Sequence, residues 1–135
     1  MKQELKNKLA FLADKYEVAE FIMDDPIQFP HRYTGKADIE ISALVASWIA
    51  TGNRKAIIKS GDRIDRELFS NAPYRYILSE EWKKYRGVKT SFYRYYSWND
   101  FYLLCQALYA AYQEHEDLES HLCHSLSWDT PLERL

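Results

Sequence analysis

Between two prolines and a glycine lies the segment that most restricts how this chain can fold. Residues 37–51 include Ile39, Ile41, Leu44, Val45, Ala46, Trp48 and Ile49, so the segment is apolar nearly all round a helical wheel. A helix of that kind must be covered on several sides, which predicts a central rod, from about Ala37 to Thr51, with other elements packed around it. Upstream, Pro26 and Pro30 lack amide donors and restrict the residues before them, which forbids a continuous helix. Thr34 and Gly35 complete an irregular connection, and Asp38 and Glu40 fall in the first turns, where negative charge suits the positive helix end. Downstream, Gly52 supplies the left-handed conformation that ends the rod.

Helical spacing continues on both sides. Leu5, Leu9, Leu12 and Tyr16 recur at four, three and four residues, predicting a first helix that buries one stripe. Asn53 is placed to cap a helix that buries Ile57, Ile58, Gly61, Ile64 and Leu68 and turns Lys55, Lys59, Arg63 and Arg66 outward. Asn71-Ala-Pro73 marks a break before a short helix from Tyr74 to Leu78, and Ser79-Glu-Glu-Trp82 opens another short turn. Ser91–Ser97 has strand-like composition, but no partner strand is evident elsewhere, so residues 86–97 read as loop or short helix. Ser97-Trp-Asn-Asp100 is a capping box, and the helix behind it is expected to bury Phe101, Leu104, Cys105, Leu108 and Tyr112. A shorter helical piece runs from Leu118 to Cys123. Thr130-Pro-Leu-Glu133 then announces a helix just before the final residue, and a helix needs about three turns to persist. The expectation is a single all-α, orthogonal domain of six or seven helices over residues 1–135, forming the front part of a longer domain.

A chain of 135 residues suffices for one cored domain. No apolar run reaches the roughly 18 residues of a membrane span. A charged N-terminus without an apolar leader, and two cysteines in helical patterns, read as a cytoplasmic protein with reduced thiols. The net charge of −2 hides an asymmetry: residues 31–96 carry +6 and residues 97–135 carry −6. Such a basic middle either faces phosphate or is neutralised by the acidic tail within the fold.

Four groups of side chains invite functional readings. Asn53, Arg54 and Lys55 open a helix whose free amides attract anions, which makes a phosphate seat; alternatively Arg54 pairs with Asp38, Glu40 or a tail carboxylate. Asp24, Asp25, His31 and Asp38 read as an acid–base or metal cluster, or as a turn cap beside a histidine packed on aromatics. Phe92-Tyr-Arg-Tyr-Tyr-Ser-Trp98 offers stacking surfaces for unpaired bases around Arg94, or else core and rim of the fold. His115, His121, Cys123 and His124 lack the spacing of a known zinc finger, and on a helix Cys123 points away from His121 and His124, so no metal is expected. Cys105 and Cys123 read as packing thiols. No P-loop, dinucleotide turn, zincin helix or nucleophile elbow occurs, so those reaction classes lose their support and no cofactor is expected.

Asp25-Pro-Ile27, Pro30-His-Arg32, Asp38-Ile-Glu40 and Gly52-Asn-Arg-Lys-Ala-Ile57 resemble the signature of an uncharacterised bacterial family known as a domain of unknown function. Asn71-Ala-Pro-Tyr74 and Phe92-Tyr-Arg94 fit the same pattern. That family is distantly similar to helix-hairpin-helix DNA glycosylases, in which a buried helix leads to a short turn near the flipped base and then to a further helix. The first expectation is therefore nucleic-acid (DNA) binding, as the N-terminal portion of a glycosylase-like domain, with contacts from Arg32, Asn53, Arg54, Lys55, Lys59 and Arg94. It implies no catalytic residue here, because the hairpin and catalytic aspartate of such enzymes lie further downstream. The alternative is a helical protein–protein interaction module, a homodimer or one covered by a missing C-terminal half, without catalytic activity.

Overall fold

The computed structural model describes residues 2–125, so the helix start at Thr130 lies outside the described residues. Within them the chain is all-α, with seven α-helices and one small hairpin. These are α1 (Gln3–Tyr16), α2 (Ala19–Met23), α3 (Lys36–Trp48), α4 (Arg54–Arg63), α5 (Pro73–Ser79), α6 (Trp98–Glu114) and α7 (Leu118–Ser125). Strands β1 (Ser91–Tyr93) and β2 (Tyr96–Ser97) precede α6. Short 3-10 turns, Pro26–Gln28 and Pro30–Arg32, replace the forbidden helix between α2 and α3. No helix among the described residues is long and apolar enough to cross a membrane.

Helix α3 contributes Ile41, Val45 and, just past its end, Ile49 to a core shared with Ile57, Ile64, Ile77, Phe101 and Leu108. It stops at Trp48, three residues earlier than its apolar pattern suggests, and is covered on one side rather than on several. Ile39, Ala43, Leu44, Ser47 and Ala50 stay exposed. Helix α5 and the Pro30–Arg32 turn pack on the inner face, while the outer one is flanked by open grooves against the Asp25–Pro30 segment and α7.

Two further expectations are corrected. Helix α1 forms with its predicted stripe, yet buries no residue: Leu9 is 50% and Phe11 64% exposed. Residues 91–97 are a hairpin rather than loop or helix, with Tyr93 opposite Tyr96 and Ser91 opposite Ser97. The strand's partner was inside the same run. Its turn passes through Arg94 at φ +53°, a left-handed position without the glycine that normally signals one.

Aromatic packing fastens the hairpin to the core. Phe92 stacks on Phe101 at 4.6 Å between ring centroids, and Trp48 lies 4.4 Å from Tyr96. Of the predicted stacking run, Phe92 and Tyr93 are buried, Tyr96 and Trp98 are half-buried against the core, and Arg94 and Tyr95 are exposed. The Ser97–Asp100 capping box is present, and its hydrogen bonds hold the Asp100 carboxyl below its ordinary value. Helix α4 runs on into one π-helical turn, Ile64–Leu68, in which Ile64 and Asp65 are both buried.

Candidate nucleic-acid interface

The turn between α3 and α4 is built by its own residues and by the distant hairpin. Gly52 takes φ +104°, and Asn53 then accepts from the Lys55 amide at 2.8 Å, capping α4 as predicted. From the hairpin, the Tyr93 hydroxyl donates to the Thr51 carbonyl at 2.9 Å. The next residue, Arg94, lays its guanidinium directly against Gly52, where any β-carbon would collide with Nη1. Arg63 steadies the hairpin by donating to the Phe92 carbonyl at 3.1 Å.

Two parts of the chain therefore supply cations on or following this turn. Arg54 and Lys55 come from the start of α4, Lys59 from the following turn, and Arg94 from the hairpin. None of the four forms an ion pair with a carboxylate among the described residues. The Arg54 guanidinium lies 5.8 Å from the Phe21 ring centroid, a cation–π contact that leaves its donors open. Arg54 also borders a groove of about 530 Å³ between the Asp25–Pro30 segment and the exposed edge of α3.

Arg32 is different. Its Nη2 lies 2.7 Å from Asp62 and 2.8 Å from the Gln28 side chain, and its Nη1 lies 3.2 Å from Asp65. The guanidinium also covers the Phe29 ring at 4.7 Å. A cation held by two carboxylates has little left for a phosphate, so Arg32 is a structural residue. Its partner Asp65, which sequence reasoning missed, is the only buried carboxylate among the described residues. Burial pushes its carboxyl up from the ordinary value, while Tyr33 and Arg32 pull it down. Tyr33 in turn has its hydroxyl pushed up, first by burial and then by Asp65. The signal available was a carboxylate in the π-helical turn after α4, beside Ile64 and four residues beyond Gly61, both of which face inward.

The polar cluster of Asp24, Asp25, His31 and Asp38 does not assemble. Asp25 caps the first 3-10 turn through the Ile27 amide at 3.0 Å. Asp38 accepts from the Tyr74 amide at 2.9 Å and so caps α5. Asp24 and His31 are exposed. Glu40 likewise serves another helix, accepting from the amides of Leu118 and Glu119 at the start of α7.

Part of the charge asymmetry cancels within the fold, since Lys36 Nζ reaches Asp117 at 2.8 Å and Glu119 at 2.7 Å. Cys105 is buried, which pushes its thiol up, whereas Cys123 is exposed rather than packed. Spacing alone did not anticipate one convergence: the ligating atoms of Glu114, His115 and His121 all lie within 4.8 Å of one another.

A family model described as "Protein of unknown function (DUF2400)" matches residues 25–134. No curated protein and no solved structure matches the chain.

Proposed function

This chain belongs to the DUF2400 family of proteins of unknown function, and from that premise we propose that it binds DNA, or another nucleic acid, through the α3–α4 turn. The observation carrying the reading is Arg94 against Gly52, which adds a distant cation to Arg54 and Lys55 where no carboxylate answers them. Cations near one turn without an ion-paired carboxylate repel one another, and a polyanion would relieve that repulsion. Arg54 and Arg94 would hold phosphate oxygens through paired N–H donors, with Lys55 and Lys59 as point charges along the backbone. Arg32 drops out of the contact set. The distant resemblance to helix-hairpin-helix glycosylases supports the same layout of buried helix, short turn and following helix. No catalytic group is assigned.

Fluorescence polarisation with a short labelled DNA duplex, at low and at physiological salt, tests the reading. Binding should weaken steeply with salt, and removing each contacting cation should lower the log–log salt slope by about one. Arg54→Ala with Lys55→Ala, and separately Arg94→Ala, should each weaken binding, while Lys83→Ala, at a residue paired with Glu80, should not. No binding at low salt, or binding indifferent to these changes, would overturn it.

A specific observation favours a second reading, self-association. Leu5, Leu9, Leu12 and Tyr16 form an uncovered stripe on α1, and a groove of about 650 Å³ lined by Leu44, Leu118 and Leu122 opens beside α3. Contiguous apolar surface of this kind drives association. Light scattering after size exclusion checks it, and a monomer at high concentration rejects it.

A further inference from the structure

The end of α6 and the body of α7 bring together side chains that the basic turn does not use. Glu114 closes α6, His115 follows it as the capping residue, and α7 begins at Leu118. That short reversal folds α7 back so that His121 meets both. The ligating atoms of the three residues lie within 4.8 Å of one another. Around a tetrahedral ion with bonds of about 2.1 Å, neighbouring ligand atoms sit about 3.4 Å apart. Small side-chain rotations close the difference. A fourth donor stands beside them: the ring of His124 lies 5.0 Å from that of His115, as does the ring of His121. His124 Nδ1 is 2.9 Å from the Ser120 carbonyl, so it donates there and leaves Nε2 as a lone pair. Histidine ligands are commonly oriented by such an outer hydrogen bond.

We propose that Glu114, His115, His121 and His124 bind one divalent ion of the zinc class, stapling α7 to the end of α6. Three imidazoles and one carboxylate suit zinc and its first-row neighbours, and they disfavour magnesium and calcium, which take oxygen ligands. Cys123 is no ligand. It lines the groove on the other side of α7 with Leu44 and Leu122. The ion would add a third anchor to a helix otherwise held by Glu40 at its first amides and by Lys36 at Asp117 and Glu119.

The test titrates Zn²⁺ alone into chelator-stripped protein against a chromophoric competitor, and follows the thermal midpoint. Expected are one ion per chain, a midpoint that rises with bound zinc, and no rise with Mg²⁺ or Ca²⁺. His115→Ala and His121→Ala should each lower affinity about tenfold or more, and Cys123→Ala should leave it unchanged. Because an alanine here could unsettle α7, Co²⁺ binding to the unaltered chain gives an independent readout. Tetrahedral nitrogen and oxygen ligation produces visible d–d bands, without the near-ultraviolet charge-transfer band of a thiolate. Absent zinc uptake, a featureless Co²⁺ spectrum, a thiolate band, or a Cys123→Ala loss equal to that of His121→Ala would each overturn the assignment.

Discussion

Gly52 answers two demands, a positive φ and the guanidinium of Arg94 filling the space a β-carbon would take. Gly52→Ala should therefore cost about 1–3 kcal/mol by strain alone, and more where Arg94 must also move. Denaturant unfolding separates the parts: in an Arg94→Ala background the steric share should vanish, leaving the backbone share. Equal costs in both backgrounds would mean that Arg94 does not pack there. The pair Arg32–Asp65 supports a prediction with a pH sign. Arg32→Met strands a buried carboxylate, which should cost roughly 2–4 kcal/mol, the lower part of the range for buried pairs because the arginine is partly exposed. Asp65 already has its carboxyl raised by burial, and losing Arg32 raises it further. A carboxyl raised in the folded state binds its proton more tightly there, so stability falls as pH climbs past the ordinary carboxylate range. The deficit of Arg32→Met should thus be greatest at neutral pH and shrink on acidification, as urea midpoints across a pH series would reveal. A deficit independent of pH would show that Asp65 is not the source.

Helix α3 does more than fill the core, because its first turns terminate two other helices. Asp38 takes the Tyr74 amide of α5, and Glu40 takes the Leu118 and Glu119 amides of α7, while Asp117 completes the α7 cap through the Ser120 amide at 2.7 Å. Glu40→Gln keeps an acceptor but loses the charge facing a helix start, which should cost about 1 kcal/mol. Amide exchange over residues 118–124 should quicken while α6 stays protected. Uniform quickening would mean that Glu40 supports the whole fold rather than one helix. Strong acid should have the same effect, since the Lys36 hydrogen bond holds the Asp117 carboxyl well below its ordinary value and that support is lost as pH falls below the ordinary carboxylate range. These long-range caps were illegible in the sequence, where Asp38 and Glu40 read as helpers of their own helix. The apolar period of residues 37–51, the Asn53 cap and the Ser97–Asp100 box were legible because each depends on neighbours within one turn. The hairpin was missed because its turn places Arg94, rather than a glycine or asparagine, at the left-handed position. Likewise Arg54 and Lys55 could be picked out locally, but the arrival of Arg94 and the capture of Arg32 by Asp62 and Asp65 depend on contacts about 30 to 40 residues apart.

Across the whole molecule, the packed body and the family match coincide, and α1 stands apart from both. The match begins at residue 25, beyond α1 and α2, and among the described residues no core residue precedes Phe29. Removing residues 2–17 should therefore leave the thermal midpoint nearly unchanged, because large losses come from buried groups and α1 has none. Yet a helix of 14 residues is marginal in water on its own, and this one presents leucines and a tyrosine to solvent. Something must cover the stripe if the helix is to persist, and a second copy of the chain is the partner always present. Covering it that way makes helix content depend on concentration, whereas an intramolecular cover would not. Amide exchange over residues 5–16 should then be fast in dilute solution and slow in concentrated solution, while exchange in α3 and α6 stays constant. The shortened chain should elute as a monomer at every concentration. Protection of α1 that ignores concentration would point to a cover within the same chain and end the case for self-association.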